Sequence, residues 1–262
     1  MTDLSRVPVP ANLTPRMAEL FARLGGPKGV ERQEALAAEE EAKRTGNLLS
    51  VYFPDTGPYR RELYPKHLAY FKAGAQHRER LFLAANRVGK TIVGAYELTC
   101  HLTGLYPAWW EGRRFDRAIK AWAAGDTGKT TMEIIQPTLV GDYGRIGTGM
   151  LPAKAIHHIS RKATAAGAVD TVWVRHTDGK LSTLVLKSYE QGREAFQGTS
   201  IEVIWLDEEP DQDIVTECLL RTMDTPSMPG GGIMLLTFTP LRGMTPLILD
   251  FLKDQAKTEK VA

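Results

Sequence analysis

Three consecutive residues, Gly89, Lys90 and Thr91, have the types found in a segment that binds phosphate groups. Glycine lets backbone N–H groups approach a phosphate, lysine places a positive charge beside its oxygens, and the threonine hydroxyl is a ligand for Mg²⁺. Ala84 replaces the first glycine of the generic pattern, a mild departure because alanine is the smallest residue with a Cβ. We expect nucleotide contacts from the whole loop, which comprises Ala84, Ala85, Asn86, Arg87, Val88, Gly89, Lys90 and Thr91.

A second segment, residues 123–130, has the same alanine-for-glycine pattern and also ends in Gly-Lys-Thr. A single domain uses one main nucleotide loop, so the two segments compete for the role. The first is favoured because it carries Arg87, a cation beside an anionic ligand, where the second carries Asp126. The helix predicted after the first loop is also longer and more apolar. The sequence alone still leaves Lys129 as a rival to Lys90.

Two further polar groups follow apolar runs that are typical of buried strands. Residues 203–206 lead into Asp207 and Glu208, which suits a strand end where Asp207 holds Mg²⁺ and Glu208 accepts a proton from the attacking water. The apolar run at 233–238 ends in the sequence Thr-Phe-Thr-Pro at 237–240. The hydroxyls of Thr237 and Thr239 can bond a phosphate oxygen or that water. Alternative interpretations are an exposed acidic turn and hydroxyls that cap a strand.

The elements that must position these residues alternate between strand and helix along the chain. Strands are predicted at 80–85, 118–124, 203–206 and 233–238, helices at 64–73, 91–103, 130–140 and 214–223, and a hairpin at 171–187 turns at Asp178-Gly179. This order predicts an α/β fold of the P-loop NTPase class, a RecA/ASCE-like three-layer sandwich with a mostly parallel central sheet. Ligands of such sheets bind at the carboxyl ends of the strands, where all three groups would lie.

Length and composition set the broader frame. The 262 residues carry a formal charge of only +2, so bulk charge does not identify a partner. We predict a helical N-terminal appendage at 1–47, a P-loop domain at 48–250, and a linker or the start of a following region at 251–262. The two cysteines lie far apart and predict neither a zinc site nor a disulfide. The sequence has no apolar run long enough to span a membrane and no signal-peptide pattern, so we expect an intracellular protein without a membrane partner.

Together, the motifs at 86–91, 205–210 and 237–240 resemble those of the ATPase domain of the terminase large subunit of tailed bacteriophages. The resemblance covers residues 48–249. It implies ATP and Mg²⁺ as cofactors and ATP-driven movement of double-stranded DNA into a procapsid. It also implies a homo-oligomeric ring on the portal protein, a small terminase subunit as a partner, and the host cell cytoplasm as the location.

The resemblance also implies roles for individual residues. The family has an adenine-binding element upstream of the phosphate loop, and the corresponding stretch here contains Tyr64 to stack on the base and His67 where a glutamine is usual. An arginine completes the site either in cis from Arg87 or in trans from Arg193. The expected catalytic set is therefore Glu208, Lys90, Arg87, Arg193, Thr237 and Thr239. Basic residues available for DNA phosphates are Arg113, Arg114, Arg117, Lys120, Arg161 and Lys162.

The chain departs from the family in one respect. Large terminases carry a C-terminal nuclease domain, and the residues after 249 are too few to form one, so we expect no DNA cleavage by this chain. Two alternatives of function are a DExx-type helicase or translocase, which would need a second RecA-like domain, and a nucleotide-binding regulatory module without turnover. Lys90, Asp207 and Glu208 argue against the second alternative.

Overall fold

A computed structural model describes residues 26–57, 59–163, 165–226 and 228–259. Within them the strands form a seven-stranded sheet of order β1-β7-β6-β2-β5-β4-β3. The first five strands in that order are parallel, and β4 and β3 extend the sheet in antiparallel fashion. The strands are β1 Glu79–Leu83, β2 Lys120–Gly125, β3 Ile156–Arg161, β4 Val169–Arg175, β5 Leu181–Ser188, β6 Val203–Asp207 and β7 Ile233–Phe238.

The helices fill the connections between these strands. They are α1 Gly26–Thr45, α2 Pro65–Ala73, α3 Lys90–Thr103, α4 Gly128–Thr130, α5 Gln136–Leu139, α6 Gln212–Arg221 and α7 Pro246–Glu259. A π-helical turn, Thr131–Ile135, joins α4 to α5. Short 3-10 helices occur at Leu48–Val51, Arg61–Leu63, Tyr189–Gln191 and Arg193–Phe196. None of the helices in the described ranges is long and apolar enough to cross a bilayer.

Both faces of the sheet are covered, as the strand β6 illustrates. Val203 and Trp205 belong to the hydrophobic cluster that includes α3, whereas Ile204 and Leu206 belong to the cluster on the opposite face with α6 and α7. A central strand buried on both faces must be apolar at every position, which is why residues 203–206 form a continuous hydrophobic run. The arrangement confirms the predicted three-layer sandwich. Both cysteines are buried free thiols, one on α3 and one on α6.

The parallel strands bring the three polar groups to one edge. Strand β7 lies between β1 and β6, so the end of the strand that enters the phosphate loop is two strands from the acidic strand end. In the β6–β7 register Asp207 stands opposite Thr237, and in the β1–β7 register Leu83 stands opposite Phe238. Residues that immediately follow these positions therefore gather at the carboxyl edge of the sheet.

A buried ion pair connects the two elements that flank the phosphate loop. Arg80 of β1 and Glu97 of α3 lie 2.6 Å apart, and both side chains are almost completely buried. The His101 ring nitrogen Nε2 lies 3.1 Å from the same carboxylate oxygen. A buried pair of this kind adds little net stability, but it penalises any arrangement that separates its partners. It therefore fixes α3 in place against β1.

The chain ends of the domain differ in part from the expected boundaries. The helix predicted within the N-terminal appendage is present as α1, while residues 1–25 lie outside the described residues. The boundary predicted at 250/251 falls inside α7, and residues 251–259 continue that helix. Residues 260–262 also lie outside the described part of the chain.

Candidate nucleotide-binding site

The phosphate loop, residues 84–91, leaves β1 and enters α3 through two left-handed backbone conformations. Arg87 has φ +62° and Gly89 has φ +84°. A Cβ added to Gly89 would lie 3.2 Å from the Nε2 atom of His67, so the position has little room for a side chain and has a backbone that favours glycine. This geometry turns the loop tightly at the start of a long helix, where backbone N–H groups and the helix dipole favour an anion.

Lys90 points back into the loop that precedes it. Its ammonium group donates a hydrogen bond of 2.8 Å to the carbonyl of Ala85, and the residue is only 7% exposed. A lysine with a single carbonyl partner has donors left for phosphate oxygens. The ammonium is therefore held within the cradle where a phosphate group would bind.

The carboxylate of Asp207 sits at the centre of a chain of side-chain hydrogen bonds. One oxygen accepts from the Thr91 hydroxyl at 3.1 Å and the other from the Thr237 hydroxyl at 2.7 Å. Thr237 in turn accepts from the indole N–H of Trp205 at 2.7 Å. The chain connects α3, β6 and β7, and it brings together three predicted residues: the two proposed metal ligands and the buried hydroxyl of β7.

Burial raises the pKa of Asp207 to about 6, although the hydrogen bond from Thr237 opposes this effect. A nearby divalent cation would favour the charged form. The hydroxyl of Thr91 and the carboxylate of Asp207 are hard oxygen donors of the kind that Mg²⁺ accepts. Among the described residues no group of three or more His, Cys, Asp or Glu side chains is placed to hold a metal ion. The donor set fits a Mg²⁺–nucleotide complex.

Glu208 follows Asp207 in an unusual backbone conformation. Its φ is +68°, its N–H donates to the carbonyl of Thr237 at 3.0 Å, and its side chain is exposed. The Tyr189 hydroxyl lies 3.0 Å from the Asp207 carbonyl and 3.1 Å from the Glu208 carbonyl. Left-handed conformations of residues other than glycine are costly and persist where surrounding contacts impose them. These contacts hold the backbone of Glu208 in the turn that follows β6 at the carboxyl edge of the sheet.

The two threonines at the end of β7 have different partners. Thr239 donates to the side-chain oxygen of Asn86 in the phosphate loop at 2.8 Å. Thr237 is fully buried and its hydroxyl is already shared between Trp205 and Asp207. Thr239 is thus the hydroxyl in direct contact with the loop, while Thr237 reaches it through Asp207.

Tyr64 and His67 lie next to the phosphate loop. The His67 Nε2 atom is 3.1 Å from the carbonyl of Val88, and burial lowers the pKa of the imidazole. The rings of Tyr64 and His67 are 5.3 Å apart in an edge-to-face arrangement, and the ring of Phe82 lies 5.1 Å from that of His67. The sequence-predicted adenine element therefore forms an aromatic cluster against the loop.

The two candidate arginines have different environments. The guanidinium of Arg87 is exposed and makes no hydrogen bond or ion pair with any described residue. Arg193 follows β5, and its Nε donates to Glu217 of α6 at 3.0 Å. Glu217 also pairs with Arg221 at 3.1 Å. Arg193 is therefore held in an ionic cluster with α6, and within the described ranges no polar contact joins it to the phosphate loop.

The rival segment, residues 123–130, has its anion-binding groups occupied by the protein itself. The N–H of Gly128 donates to Glu190 at 2.8 Å, and Thr127 and Thr130 form a reciprocal capping box. The side chain of Lys129 is 77% exposed and lies 3.9 Å from Glu133. In the part of the chain that the structure describes, none of these groups bonds to Asp207, so the geometry favours residues 84–91.

Three contributors to the site have no obvious signal in a sequence motif. Gly94 lies where a Cβ would overlap the indole of Trp205, so α3 approaches β6 closely only because position 94 is glycine. An isolated glycine within an apolar helix pattern was the available sign. The other two are Tyr189, which supports the acidic turn, and Glu209, which accepts from the Thr245 hydroxyl at 2.6 Å.

Comparison with known proteins gives a consistent family. Residues 81–262 match the family model described as terminase large subunit, T4likevirus-type, N-terminal. The large terminase subunit of Salmonella phage P22 is 34% identical over 246 residues, which are 86% of this chain and 46% of that protein. The chain thus spans about half the length of that relative.

Solved structures show the same fold at low sequence identity. The large terminase of bacteriophage HK97 superposes with a TM-score of 0.51 at 15% identity, over 84% of this chain and 42% of that one. The large terminase of a thermophilic bacteriophage, solved in complex with ADP, gives a TM-score of 0.49 at 17% identity over 74% and 42% of the two chains. The HK97 match agrees with the P-loop fold described above.

Proposed function

Because the chain belongs to the family of terminase large subunits, we propose that it is an ATP-hydrolysing motor region that drives double-stranded viral DNA into a procapsid. The observation that carries the ATPase assignment is the contact of Thr91 with Asp207, which joins a phosphate loop to an acidic strand end. A loop alone accounts for binding a nucleotide. The addition of a metal ligand and an adjacent carboxylate, Glu208, accounts for hydrolysis.

The cofactors are ATP and Mg²⁺. Residues 84–91 hold the phosphates, with Tyr64 and His67 beside the base, and Thr91 and Asp207 hold the cation. When bound, Mg²⁺ supplies charge neutralisation to the phosphate oxygens. Two observations support this assignment: the left-handed backbone and limited space at Gly89, and the 3.1 Å hydrogen bond between the Thr91 hydroxyl and the Asp207 carboxylate.

The residues of the chain then divide the work of hydrolysis. Lys90 exchanges its bond to the Ala85 carbonyl for bonds to phosphate oxygens. Glu208, exposed at the carboxyl edge, accepts the proton of the attacking water. Arg87, which has no protein partner among the described residues, stabilises the developing charge in cis. Arg193 is the candidate for a trans arginine, provided that it leaves Glu217 at a subunit interface.

Thr237 and Thr239 connect the state of the site to the rest of the domain. Thr239 contacts the loop through Asn86, and Thr237 contacts the metal ligand Asp207. Both threonines lie at the end of β7. A change in the position of the phosphate loop or of Asp207 on hydrolysis is therefore transmitted to the segment that follows β7. This is the expected route from hydrolysis to DNA movement.

The proposed partners follow from the family. They are double-stranded DNA, the portal protein and a small terminase subunit, with the chain acting in a homo-oligomeric ring in the host cell cytoplasm. The named relative is the large terminase subunit of a Salmonella phage, which supports a role in viral genome packaging. Nuclease activity is not part of the proposal.

Nucleotide binding and phosphate release by purified variants test the ATPase assignment. We expect Lys90→Ala to lose nucleotide binding. We expect Glu208→Gln to bind Mg²⁺–ATP normally while phosphate release falls by about 10²-fold or more, because the base is lost. Lys129→Ala is the matched control in the rival segment and should behave like the unmodified chain.

Three results would contradict parts of this proposal. Loss of binding in Lys129→Ala but not in Lys90→Ala would reverse the assignment of the two loops. Mg²⁺–ATP binding without phosphate release, even with DNA and procapsids, would favour a regulatory module. Duplex unwinding by the chain alone, without portal or capsid, would favour a helicase.

A further inference from the structure

Charge is unevenly distributed along this nearly neutral chain. Residues 143–187 contain seven lysines and arginines against two aspartates and no glutamate, which is a net charge of +5. The whole chain has a formal charge of +2, so the remaining residues carry −3. This segment forms β3, β4 and β5, the antiparallel end of the sheet, together with the turns that connect them. Such segregation is typical of a surface that meets an anionic partner.

The contacts within this segment leave several of its cations without a carboxylate partner, although Lys187 donates to the Ala195 carbonyl and Arg175 donates to backbone carbonyls. Asp178 accepts hydrogen bonds from the backbone N–H groups of Ala118 and Lys180, and Asp170 accepts from Thr171. Across the described residues no carboxylate pairs with the four cations along β3, although many other surface cations do pair with carboxylates. The four are Lys154, Arg161, Lys162 and Arg175, and we refer to them as the basic edge.

The basic edge follows the outermost strand of the sheet. Lys154 lies before β3 and Arg161 at its end, so the cations span about 20 Å at roughly 3.3 Å per residue. Arg175 belongs to β4, and its guanidinium donates to the carbonyls of Lys154 and Ile156, which places it at the start of β3. A cavity of about 480 Å³ opens beside Lys162 at the other end and is also lined by Lys129.

Three of the other four cations considered for DNA contacts lie outside this segment and have protein partners of their own. Arg117 pairs with Glu202 at 2.8 Å, Arg113 donates to the Gly231 carbonyl, and Arg114 donates to the Trp110 carbonyl. Of the six residues selected from sequence, Arg161 and Lys162 belong to the basic edge, and Lys120 is exposed on β2 without a carboxylate partner among the described residues. The basic edge therefore contributes four of the cations that have no carboxylate partner in the described part of the chain.

We propose that the basic edge binds the phosphate backbone of double-stranded DNA. The identity of the partner rests on the proposed packaging function, whereas the location rests on the contacts above. Two pairs of cations, one at each end of a strand about 20 Å long, can contact phosphates of one DNA backbone, and contacts of this kind are independent of sequence. A motor that moves along any DNA sequence requires that independence.

Fluorescence anisotropy with a short labelled duplex, without nucleotide, tests the surface over a series of salt concentrations. The test variant combines Lys154→Ala, Arg161→Ala and Lys162→Ala. We expect its affinity to fall by at least about tenfold near 0.1 M salt, and the slope of log K against log salt to shrink by about 2 to 3. Arg161→Lys, which keeps the charge, should bind as the unmodified chain does.

The matched control removes the same charge elsewhere, through Lys43→Ala, Arg44→Ala and Lys253→Ala on α1 and α7. These side chains are exposed and distant in sequence from the basic edge. Equal DNA binding by the test and control variants would overturn the proposal, as would an unmodified chain that binds no duplex. Binding of poly-glutamate as tightly as DNA, lost in the test variant, would overturn DNA as the partner.

Mg²⁺–ATP hydrolysis without DNA, measured on the same preparations, separates this inference from the function on which it rests. The test variant should hydrolyse ATP at the unmodified rate, because none of its three positions lies in the phosphate loop or the acidic strand end. Its thermal unfolding midpoint should also match that of the control. Absence of hydrolysis in the unmodified chain would contradict the proposed ATPase and would leave the binding comparison intact as a test of the surface.

Discussion

Asp207 shows how a single residue can be prepared for a ligand at the expense of the apo protein. The carboxylate is 4% exposed, and its two oxygens accept from Thr91 and Thr237. Two neutral hydroxyl donors do not compensate for the loss of water around a full negative charge, and burial accordingly raises its pKa to about 6. A divalent cation would supply the missing stabilisation.

Asp207→Asn should therefore stabilise the apo protein at alkaline pH while it abolishes Mg²⁺-dependent nucleotide binding. The pKa rises from 3.8 to about 6 in the folded state, which corresponds to a free energy of unfolding higher by about 1 to 3 kcal/mol for the variant. Urea unfolding at pH 8 in the presence of EDTA measures the first effect. Nucleotide titration with and without Mg²⁺ measures the second.

The contribution of Asp207 to stability changes with pH in the opposite direction from that of an ion-paired aspartate. The folded state holds the Asp207 proton more tightly than the unfolded state, so stability is greatest below the unfolded pKa of 3.8 and is lost as pH rises through about 6. The advantage of the variant should accordingly shrink as pH falls from 6 towards 4. A constant advantage across that range would show that ionisation of Asp207 is not its cause.

The sequence could predict these site residues to the extent that they follow strands. Asp207 and Thr237 lie at the ends of strands β6 and β7, and Thr91 lies at the start of the helix that follows β1. Parallel strands bring such positions together at one edge of the sheet. The hydrogen bonds between them depend on register and rotamer, which no local pattern encodes. Tyr189 could not be predicted at all, because it reaches the acidic turn from a short helix after β5.

At the scale of elements, the contact between α3 and β6 depends on one glycine. Gly94 faces the fully buried Trp205, whose indole donates to Thr237 and so belongs to the hydrogen-bonded chain that holds Asp207. A larger residue at 94 must move either the helix or the indole. The packing of α3 is therefore coupled directly to the position of Asp207.

Gly94→Ala should lower the free energy of unfolding by about 1 to 3 kcal/mol, since overpacking outweighs the gain in helix propensity. Gly128→Ala is the matched control, because its Cβ would find only ordinary contacts at 3.7 Å or more. Urea unfolding of both variants measures the difference. If the loss arises from the indole, combining Gly94→Ala with Trp205→Phe should give strong non-additivity, whereas simple additivity would contradict the contact.

The segment that follows β7, residues 239–245, makes two polar contacts with the acidic residues that follow β6, at positions 209 and 211. The Thr245 hydroxyl donates to Glu209 at 2.6 Å, and Arg242 pairs with Asp211 at 2.8 Å. The second oxygen of Glu209 is buried and has no hydrogen-bond partner in the described structure. Among the described residues Thr245 is therefore the only hydroxyl seen to satisfy this buried carboxylate, and its own carbonyl begins α7 by accepting from Leu249.

Thr245→Val should reduce the free energy of unfolding by about 1 to 3 kcal/mol, because it leaves a buried carboxylate without its donor. Thr245→Ser retains the hydroxyl and should lose much less. Thermal or urea unfolding of the pair separates the hydrogen bond from the methyl packing. Equal losses in the two variants would assign the effect to packing, and no loss in either would show that Glu209 is solvated.

The elements themselves were largely predictable, with one instructive exception. Strands β1, β2, β6 and β7 are apolar runs bounded by polar residues, and the Asp178-Gly179 turn identified the β4–β5 hairpin. Strand β3 was missed because exposed His157 and His158 are adjacent and its pairing with β4 contains register shifts. An irregular edge strand has no period of two for a sequence pattern to reveal.

For the molecule as a whole, the predicted domain boundary at 47/48 separates the helix α1 from the domain that contains the sheet. The helix is rich in charged residues and buries chiefly two small side chains, Ala35 and Ala42. Among the described residues, Tyr59 donates to Glu39 of α1 at 3.2 Å, and just after the helix the N–H of Ala153 donates to the Gly46 carbonyl at 2.8 Å. Both hydrophobic clusters that cover the sheet form mainly from later residues.

Deletion of residues 1–45 should therefore leave a cooperatively folding domain that still binds Mg²⁺–ATP. We expect the free energy of unfolding to fall by only a few kcal/mol, since about 25 cal/mol is lost per Å² of apolar surface and α1 buries little of it. Saturating nucleotide at about 100 times Kd should still add about 2.7 kcal/mol to the truncated chain, as to the full one. Thermal unfolding with and without Mg²⁺–ATP measures both quantities, and Lys90→Ala in the truncated chain serves as the control without a ligand shift. A truncated chain that is unfolded, or folded but without that shift, would show that α1 is part of the nucleotide-binding domain and that the boundary at 47/48 is wrong.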